Sequence, residues 1–306
     1  MKEGIVTVRI SRRGFLKALL GGCLALAAGS AYATQVEPRW IELVRVMVRL
    51  PHLPRALHGF TIAHLSDLHL GPYVEAEDVR RSVAMANALG ADLIALTGDF
   101  VYRSARYAEA CARELAALRA RYGVYAVLGN HDVWTDPDAV AESLRRAGIR
   151  VLRNERQALR VRSARLWLTG IEDVGVTGFT ALGLISSISR SDFKALWKGA
   201  HDAFLRALEG LPLGETRLLL VHNPDFAEMV EGRVDLVLAG HTHGGQVRLP
   251  LVGAPIVPSC YGQKYAAGLV RAGDTQVYVN RGIGAIGLPM RFLCRPEVTL
   301  IVLEGA

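Results

Sequence analysis

Cysteine is scarce in this chain, with 4 residues among 306. Cys111 lies in a helical pattern and is expected in the core, and Cys23 belongs to an N-terminal segment that we expect to be removed. Three cysteines then remain, and an odd number excludes a full disulfide framework. None of the three has metal-ligand spacing. A bridge between Cys260 and Cys294 is the one pairing that the sequence leaves open.

The sequence also lacks internal repeats, linkers and low-complexity tracts. We therefore predict a single domain over residues 34–306. Its length is large for one domain but falls within the range of layered α/β folds.

The N-terminus carries one uncharged run, over residues 18–35. Arg12 and Arg13 precede this run, and Ala31-Tyr32-Ala33 follows it. A basic head, an apolar middle and an A-x-A end are typical of an export signal, and paired arginines direct such a signal to the twin-arginine (Tat) route. We predict a Tat signal peptide over residues 1–33, a Tat translocase as transient partner, and a location in the periplasm or cell envelope.

Two alternatives to cleavage after Ala33 remain. The apolar segment is short and rich in glycine for a membrane span, but an uncleaved anchor stays open and would make the protein membrane-associated. Leu20 to Cys23 weakly resembles a lipoprotein cleavage box, although it lies too close to Lys17 for a good apolar region.

The chain has a formal net charge of +7, from 36 basic and 29 acidic residues. The predicted signal holds five of the basic residues and one acidic residue, which leaves 31 and 28 and a net charge of +3. Such a balance does not indicate a nucleic-acid partner. It weakly favours an anionic substrate or a membrane surface.

Strand, polar loop and helix follow one another three times after residue 60. Apolar patterns predict strands at 60–65, 92–97 and 124–128, each followed by a helix, at 74–89, 105–122 and 136–147. This order indicates βαβ units and a largely parallel sheet.

Further strands are predicted on either side of this region, at 39–50, 157–162, 165–171, 216–221, 234–239, 269–271, 276–280 and 298–303. We expect the last three to be antiparallel. A second sheet packed on the first would bury so many strands.

Polar residues gather at the carboxyl ends of five predicted strands: Asp67 and His69, Asp99, Asn130 and His131, His222, and His241 with His243. Each has an ordinary structural explanation when taken alone. Ligands of open α/β sheets bind at this edge, and imidazole is the commonest metal-binding side chain. Five coincidences in sequence order indicate one shared metal site.

These residues form D-x-H (67–69), G-D (98–99), G-N-H-D (129–132), a lone His222 and G-H-x-H (240–243). The set resembles the calcineurin-like metallophosphoesterases over about residues 60–245. R-G-I-G with G-L-P-M-R-F (281–292) is similar to the Tat-exported, cell-envelope phosphodiesterase branch. The resemblance implies an α/β fold, a four-layer α/β/β/α sandwich of two mixed sheets.

The resemblance also implies two divalent cations and a metal-bridging hydroxide that attacks a phosphoester. It makes Asp99 the bridging ligand and divides the other ligands into Asp67, His69 and His243 for one metal, and Asn130, His222 and His241 for the other. Mixed imidazole and carboxylate ligands suit Mn²⁺, Fe or Zn²⁺ better than Mg²⁺ or Ca²⁺.

The resemblance assigns His131 to no metal and makes it either a proton donor to the leaving oxygen or a group that stabilises the developing charge. The protein-phosphatase branch supports this histidine with an aspartate where this chain has Tyr102, so Asp132 is the candidate substitute. Arg103 falls where that branch binds phosphate. His64 is expected to pack near the site.

The substrate is open at this stage. Residues 174–197 form a long apolar stretch that engages lipid, acts as a lid over the site or packs on the core. Relatives in the resembling branch suggest a phosphodiesterase or a pyrophosphatase, with a lipid-linked or envelope substrate such as UDP-2,3-diacylglucosamine. A phosphomonoesterase or protein phosphatase, and a non-catalytic metal-binding envelope protein, are the alternatives.

Overall fold

A computed structural model describes residues 11–175 and 188–306. The first sheet contains six strands, in the spatial order β1 (Glu42–Leu50), β12 (Glu297–Gly305), β2 (Thr61–Leu65), β3 (Leu93–Leu96), β4 (Val124–Ala126) and β5 (Arg150–Val151). β12 pairs parallel with β1 and antiparallel with β2, and the remaining pairs are parallel. The prediction that the first βαβ units form a largely parallel sheet is confirmed. The two-residue strand β5 was not predicted.

The second sheet also contains six strands, in the order β10 (Gly268–Ala272), β11 (Thr275–Val279), β9 (Leu236–Ala239), β8 (Thr216–Val221), β7 (Ala164–Ile171) and β6 (Glu155–Val161). Only the outer pairs, β10 with β11 and β6 with β7, are antiparallel. The prediction that all tail strands are antiparallel is therefore wrong, because β11 and β12 each also have a parallel neighbour.

The described residues form seven α-helices: α1 (Arg12–Ala31), α2 (Ala76–Ala88), α3 (Ala108–Leu115), α4 (Asn130–Thr135), α5 (Pro137–Arg146), α6 (Arg190–Leu196) and α7 (Lys198–Leu208). Helices α2, α3 and α5 cover the outer face of the first sheet, and α6 and α7 cover that of the second. The helix predicted over 105–122 ends early, at Leu115. The Asn87 side chain donates to the carbonyl of Ala117 and accepts from the N–H of Arg119, so it binds backbone groups that a continued helix would use internally.

The pleat of the strands assigns side chains to different cores, since successive residues of a strand point to opposite faces. In β3, Leu93 and Ala95 face the second sheet, whereas Ile94 packs under α2, α3 and α5. In β8, Leu218 and Leu220 enter the space between the sheets, and Leu219 packs under α6 and α7. One apolar layer lies between the two sheets, and one lies between each sheet and the helices that cover it. The predicted α/β/β/α sandwich is therefore confirmed.

Helix α1 stands outside this sandwich, with no buried residue. The helical stretch Arg12–Arg39, 28 residues long, is apolar and long enough to cross a membrane, and a signal sequence near an N-terminus meets the same test. The chain reaches the folded domain directly after the helix. Ala33 is buried and its carbonyl accepts a 2.8 Å hydrogen bond from the N–H of Arg291. The buried Glu37 carboxylate accepts from the N–H groups of Leu293 and Cys294.

The cysteines do not form the bridge that the sequence left open. All four are free thiols. Cys260 Sγ lies 3.3 Å from the carbonyl of Ile188, and the buried Cys294 Sγ lies 3.3 Å from the carbonyl of His243.

Half of the apolar stretch 174–197, residues 176–187, lies outside the described residues. Its last part forms α6, where Phe193 is buried and followed by the buried Trp197.

Candidate metal centre

The predicted site residues occupy five loops that meet at the carboxyl ends of β2, β3, β4, β8 and β9. Three of these strands belong to the first sheet and two to the second. A hydrogen bond of 2.7 Å between His222 Nδ1 and the Thr97 carbonyl joins the loops of the two sheets. The site therefore lies where the edges of the two sheets meet.

The loops turn sharply at the residues that carry the candidate ligands. Asp67, His69, Asp99, His241 and His243 have φ angles between 50° and 72°. Non-glycine residues seldom adopt this left-handed region, and such residues cluster at functional sites. The turns aim both side chains of each D-x-H and H-x-H pair into one centre.

One half of the centre contains Asp67, His69 and His243. The Nε2 atoms of the two histidines are 3.0 Å apart, and Nε2 of His243 lies 3.2 Å from Asp67 Oδ1. All three side chains are buried. Their donor atoms lie within 4.8 Å of one another, so this trio could hold a metal ion.

The other half contains Asn130, His222 and His241. The Asn130 side-chain oxygen lies 3.1 Å from His222 Nε2 and 2.9 Å from His241 Nδ1, and these two nitrogens are 3.3 Å apart. Asn130 is the first residue of α4, and the helix start fixes its direction.

Asp99 lies between the two halves. Its Oδ2 is 3.3 Å from His69 Nε2 and 3.2 Å from His222 Nε2, and its Oδ1 accepts a 2.8 Å hydrogen bond from the N–H of His131. One carboxylate oxygen therefore faces both sets of nitrogens. This is the geometry that a ligand shared by two ions requires.

The charges of the centre also suit cations. Burial alone would raise the pKa values of Asp67 and Asp99, but the surrounding imidazoles hold both below the ordinary value, so both are ionised. Burial lowers the pKa of His241 to about 3, which keeps its ring neutral. Metal ligation requires ionised carboxylates and neutral imidazoles.

His222 departs from this pattern. Its pKa is well above the ordinary value because the attraction of Asp99 and Asp67 exceeds the cost of burial. A proton on this ring offsets part of the charge of the two carboxylates, which is the role that a bound cation would take over. The converging nitrogens and oxygens therefore fit divalent metal ions.

Asp132 does not support the ring of His131 as the sequence suggested. Its carboxylate accepts hydrogen bonds from the N–H groups of Asp99, Phe100, Val101 and Gly129, at 2.8 to 3.2 Å. Burial and the nearby Asp99 charge raise its pKa to about 7. Asp132 holds the loop of Asp99 to the loop of Asn130.

The His131 ring is held instead by other aromatic rings. Its centroid lies 4.8 Å from that of His69, 5.2 Å from Tyr102 and 4.7 Å from Trp134. Tyr102, which stands where an aspartate was expected, thus contributes a packing surface. His69, Asp99 and His131 also have donor atoms within 4.8 Å of one another, so His131 is close enough to the centre either to donate a proton or to bind metal.

The two remaining predicted residues lie at the edge of the centre. Arg103 is exposed, and its guanidinium carbon lies 5.0 Å from the centroid of the Tyr102 ring. His64 is buried, and its Nε2 lies 2.8 Å from Thr97 Oγ1. Burial lowers the pKa of His64 to about 3, so it is a neutral support behind the site.

A second loop, residues 281–294, also packs against the centre, and its sequence pattern did not predict this contact. A Cβ atom on Gly282 would lie 2.6 Å from Cβ of Asp67, and one on Gly284 would lie 2.8 Å from Cβ of His69. Only glycine allows this close approach. The R-G-I-G pattern was the available signal, but nothing local to it reveals a neighbour more than 200 residues away.

Arg291 fixes the shape of this loop. Its fully buried guanidinium donates to the carbonyls of Arg281, Gly282, Gly284 and Cys294. One of its nitrogens lies 3.5 Å from His243 Nδ1, the ring nitrogen that faces away from the centre.

Comparison with known proteins agrees with this site. Residues 60–245 match the calcineurin-like phosphoesterase family model. The chain therefore belongs to the calcineurin-like phosphoesterase family, and it is a metal-dependent phosphoric ester hydrolase.

Curated relatives span nearly its whole length. The chain is 34% identical to the uncharacterized metallophosphoesterase YkuE of Bacillus subtilis (strain 168), over 97% of this chain and 99% of the relative. It is 34% identical to the phosphodiesterase YaeI of Escherichia coli (strain K12), over 96% and 99%. It is 27% identical to the UDP-2,3-diacylglucosamine pyrophosphatase LpxG of Chlamydia muridarum, over 88% and 91%.

Proposed function

We propose that this protein is an exported phosphodiesterase or pyrophosphatase with two metal ions, acting on a lipid-linked substrate of the cell envelope. The observation that carries the two-metal proposal is the position of Asp99, whose Oδ2 faces His69 and His222 at 3.3 and 3.2 Å. The coordination of one ion would be completed by Asp67, His69 and His243, and that of the other ion by Asn130, His222 and His241. Mn²⁺, Fe or Zn²⁺ suit these mixed ligands.

Two cations bound there would supply an activated water and neutralise the charge of the phosphoryl group. The protein's own residues have separate tasks. Asp132 and Arg291 hold the loops so that the donor atoms stay in place, and the aromatic rings around His131 orient its imidazole. Burial keeps the pKa of this imidazole near 3 in the absence of a bound group. A phosphoester placed beside it would provide the negative charge that favours a proton on the ring.

Arg103 is proposed to contact the substrate. Its exposed guanidinium stands against the Tyr102 ring, which in turn packs on His131. A phosphate bound at the metals could therefore receive hydrogen bonds from Arg103 without any change in the buried centre.

The substrate class rests on two observations. YaeI is named a phosphodiesterase and LpxG a UDP-2,3-diacylglucosamine pyrophosphatase. The second observation is the fully exposed apolar helix α1, which would bring the enzyme to a membrane. We propose that Arg12 and Arg13 direct export by the Tat translocase into the periplasm or cell envelope, with residues 34–306 as the folded domain and α1 retained as an uncleaved membrane anchor.

An activity screen tests the reaction. The purified full chain, supplied in turn with Mn²⁺, Zn²⁺ and Fe²⁺, is assayed on bis(p-nitrophenyl) phosphate, on p-nitrophenyl phosphate and on UDP-2,3-diacylglucosamine in mixed micelles. We expect turnover of the diester and of the pyrophosphate to exceed that of the monoester. Cleavage of the monoester alone would contradict the proposal and make the protein a phosphomonoesterase.

A further inference from the structure

The surface beside the metal centre carries large apolar side chains that have no partner among the described residues. Leu249, Leu251, Val252, Ile256, Leu288 and Leu293 are all exposed, and Leu251 is fully so, at 108% of its reference area. We name these six residues the apolar rim. Apolar patches of this kind on a folded surface mark sites of protein or membrane contact.

Hydrogen bonds join the two loops that carry most of the rim. Leu249 and Gly253 exchange backbone hydrogen bonds of 2.8 and 2.9 Å, so Leu251 and Val252 form the tip of a tight hairpin. The strand leading into the hairpin lies against Phe292, next to Leu293, through a 2.8 Å bond from the N–H of Arg248 to the Phe292 carbonyl.

Gln246 connects the hairpin to the rest of the rim. Its side-chain NH₂ donates to the carbonyl of Ile286, and its side-chain oxygen accepts from the Ile286 N–H. Ile286 is two residues before Leu288, which is 70% exposed. The rim is therefore one surface built from two loops that are bonded to each other.

The rim is continuous with the exposed helix α1. The chain leaves α1 and is bonded within a few residues to the loop that carries Leu293, through Ala33 to Arg291 and through Glu37 to Leu293 and Cys294. A helix of 20 residues is about 30 Å long, which matches the hydrocarbon thickness of a bilayer. The helix end and the rim thus lie beside each other on the domain.

The charges around the rim favour a lipid surface over a protein partner with basic residues. Residues 246–256 and 281–295 contain no aspartate or glutamate, and they contain four arginines. Arg291 is buried and Arg281 is paired with Glu42 and Glu297. The positive charge at this surface therefore comes from the partly exposed Arg248 and Arg295. One of these, Arg295, lies over the half-exposed ring of Trp40 with its guanidinium carbon 3.6 Å from the ring centroid. Tryptophan and arginine concentrate at the headgroup level of membranes, and basic residues there attract anionic lipids.

The rim also borders the metal centre directly. Gln246 is three residues after His243, and the loop that carries Leu288 is the one whose glycines pack on Asp67 and His69. A surface that rests on the bilayer at the rim would hold the metal centre close to the headgroups.

We propose that the apolar rim docks on the surface of the lipid bilayer that α1 enters, so that the metal centre faces the headgroup layer. The partner of the rim in this proposal is a bilayer that contains anionic phospholipid. The contact comprises insertion of the hairpin tip and of Leu288 and Leu293 below the phosphates, with Trp40 and Arg295 at the level of the headgroups.

Site-specific labelling of the full chain tests this contact without using activity. Cys23 and Cys260 are replaced by serine, whereas the buried Cys111 and Cys294 are kept. Leu251→Cys then introduces the one accessible thiol, which carries an environment-sensitive fluorophore. The matched control is Leu213→Cys, because Leu213 is also almost fully exposed, at 94%, in the turn before β8. That turn is at the opposite end of the strand from His222. Both proteins are reconstituted into vesicles of phosphatidylethanolamine and phosphatidylglycerol.

We expect the label at 251 to shift its emission to the blue and to be quenched by lipids that carry a nitroxide on the acyl chain. The label at 213 is expected to keep the emission of a dye that is exposed to water. Equal quenching at both positions, or at neither, would overturn the proposal.

A second pair of variants measures the consequence for a membrane-embedded substrate. Leu251→Asp together with Val252→Asp should lower turnover of a lipid-linked pyrophosphate in vesicles, while turnover of soluble bis(p-nitrophenyl) phosphate stays unchanged. Leu213→Asp should change neither rate. If the double variant cleaved the vesicle substrate as fast as the unmodified protein, the docking proposal would also be overturned. The soluble assay separates that result from a failure of the catalytic proposal, because soluble turnover requires the metal centre but not the rim.

Discussion

The backbone N–H of His131 donates a 2.8 Å hydrogen bond to Oδ1 of Asp99. The same carboxylate directs its other oxygen at His69 and His222. The loop that carries His131 therefore fixes the Asp99 side chain. The other carboxylate oxygen, Oδ2, stays free to face the centre of the site. The position of this one side chain determines whether two ions can share a ligand.

The first prediction concerns this shared ligand. Asp99→Asn should lower phosphodiester turnover about 10³-fold or more, because metal-based stabilisation is worth several kcal/mol and about 1.4 kcal/mol corresponds to a factor of ten. His241→Ala should have a similar effect on rate. Metal analysis by mass spectrometry should show fewer than two ions per chain in both variants. A wild-type rate with either variant would contradict the two-metal proposal.

The second prediction separates the two roles that the geometry allows for His131. His131→Ala should lower kcat by ~10²–10⁴-fold, as expected for loss of a general acid, while two metal ions remain bound. The loss should be larger for diesters with poor leaving groups than for p-nitrophenyl esters, since a good leaving group needs no proton. Loss of an ion in this variant would make His131 a ligand instead.

The third prediction concerns the loop that Asp132 organises. Asp132→Asn replaces one acceptor oxygen by an NH₂ group that faces backbone donors, and should lower the free energy of unfolding by about 3 kcal/mol. Denaturant unfolding measures this change. Asp136→Asn is the matched control, because Asp136 caps α5 through the N–H of Ala139 and asparagine caps helices equally well. Equal stability of both variants would show that the four hydrogen bonds of Asp132 contribute nothing.

The sequence was sufficient to find the candidate ligands and the layered fold. The ligands follow directly after strands, and parallel strands bring their carboxyl ends to one edge, so Asp67, Asp99 and Asn130 could be grouped without coordinates. The pairing of β12 with both β1 and β2 could not be predicted, because apolar alternation shows which residues are buried but not which strand is adjacent.

The supports of the site were harder to predict than the ligands. Asp132 was expected to contact the neighbouring imidazole, but its carboxylate turns to four backbone N–H groups because a buried anion requires several donors. Arg291 was seen only as part of a pattern. Its function depends on carbonyl groups that become available only when the loop of residues 281–294 is folded.

The fourth prediction tests the part of the site that the sequence did not reveal. Gly284→Ala places a methyl group 2.8 Å from Cβ of His69, which must displace that ligand. We expect about 10–100-fold weaker metal binding, the usual effect of disturbing the surroundings of a ligand, as measured by titration with a competing chelator. Gly199→Ala is the control, because Gly199 lies in α7 with open space around it and alanine favours a helix. If Gly284→Ala bound metal as tightly as the unmodified protein, the loop of residues 281–294 would have no role in the metal centre.

The place of β12 has a consequence for the order of events during synthesis. This strand contains residues 297–305, yet it lies between β1 and β2, the first two strands of the chain. The first sheet therefore has an open gap until residues 297–305 have been synthesised. The glycine loop that packs on Asp67 and His69 immediately precedes this strand. The seven candidate ligands are thus made before the strand and the loop that hold two of them in place, so the surroundings of the metal centre are complete only when this late segment has folded.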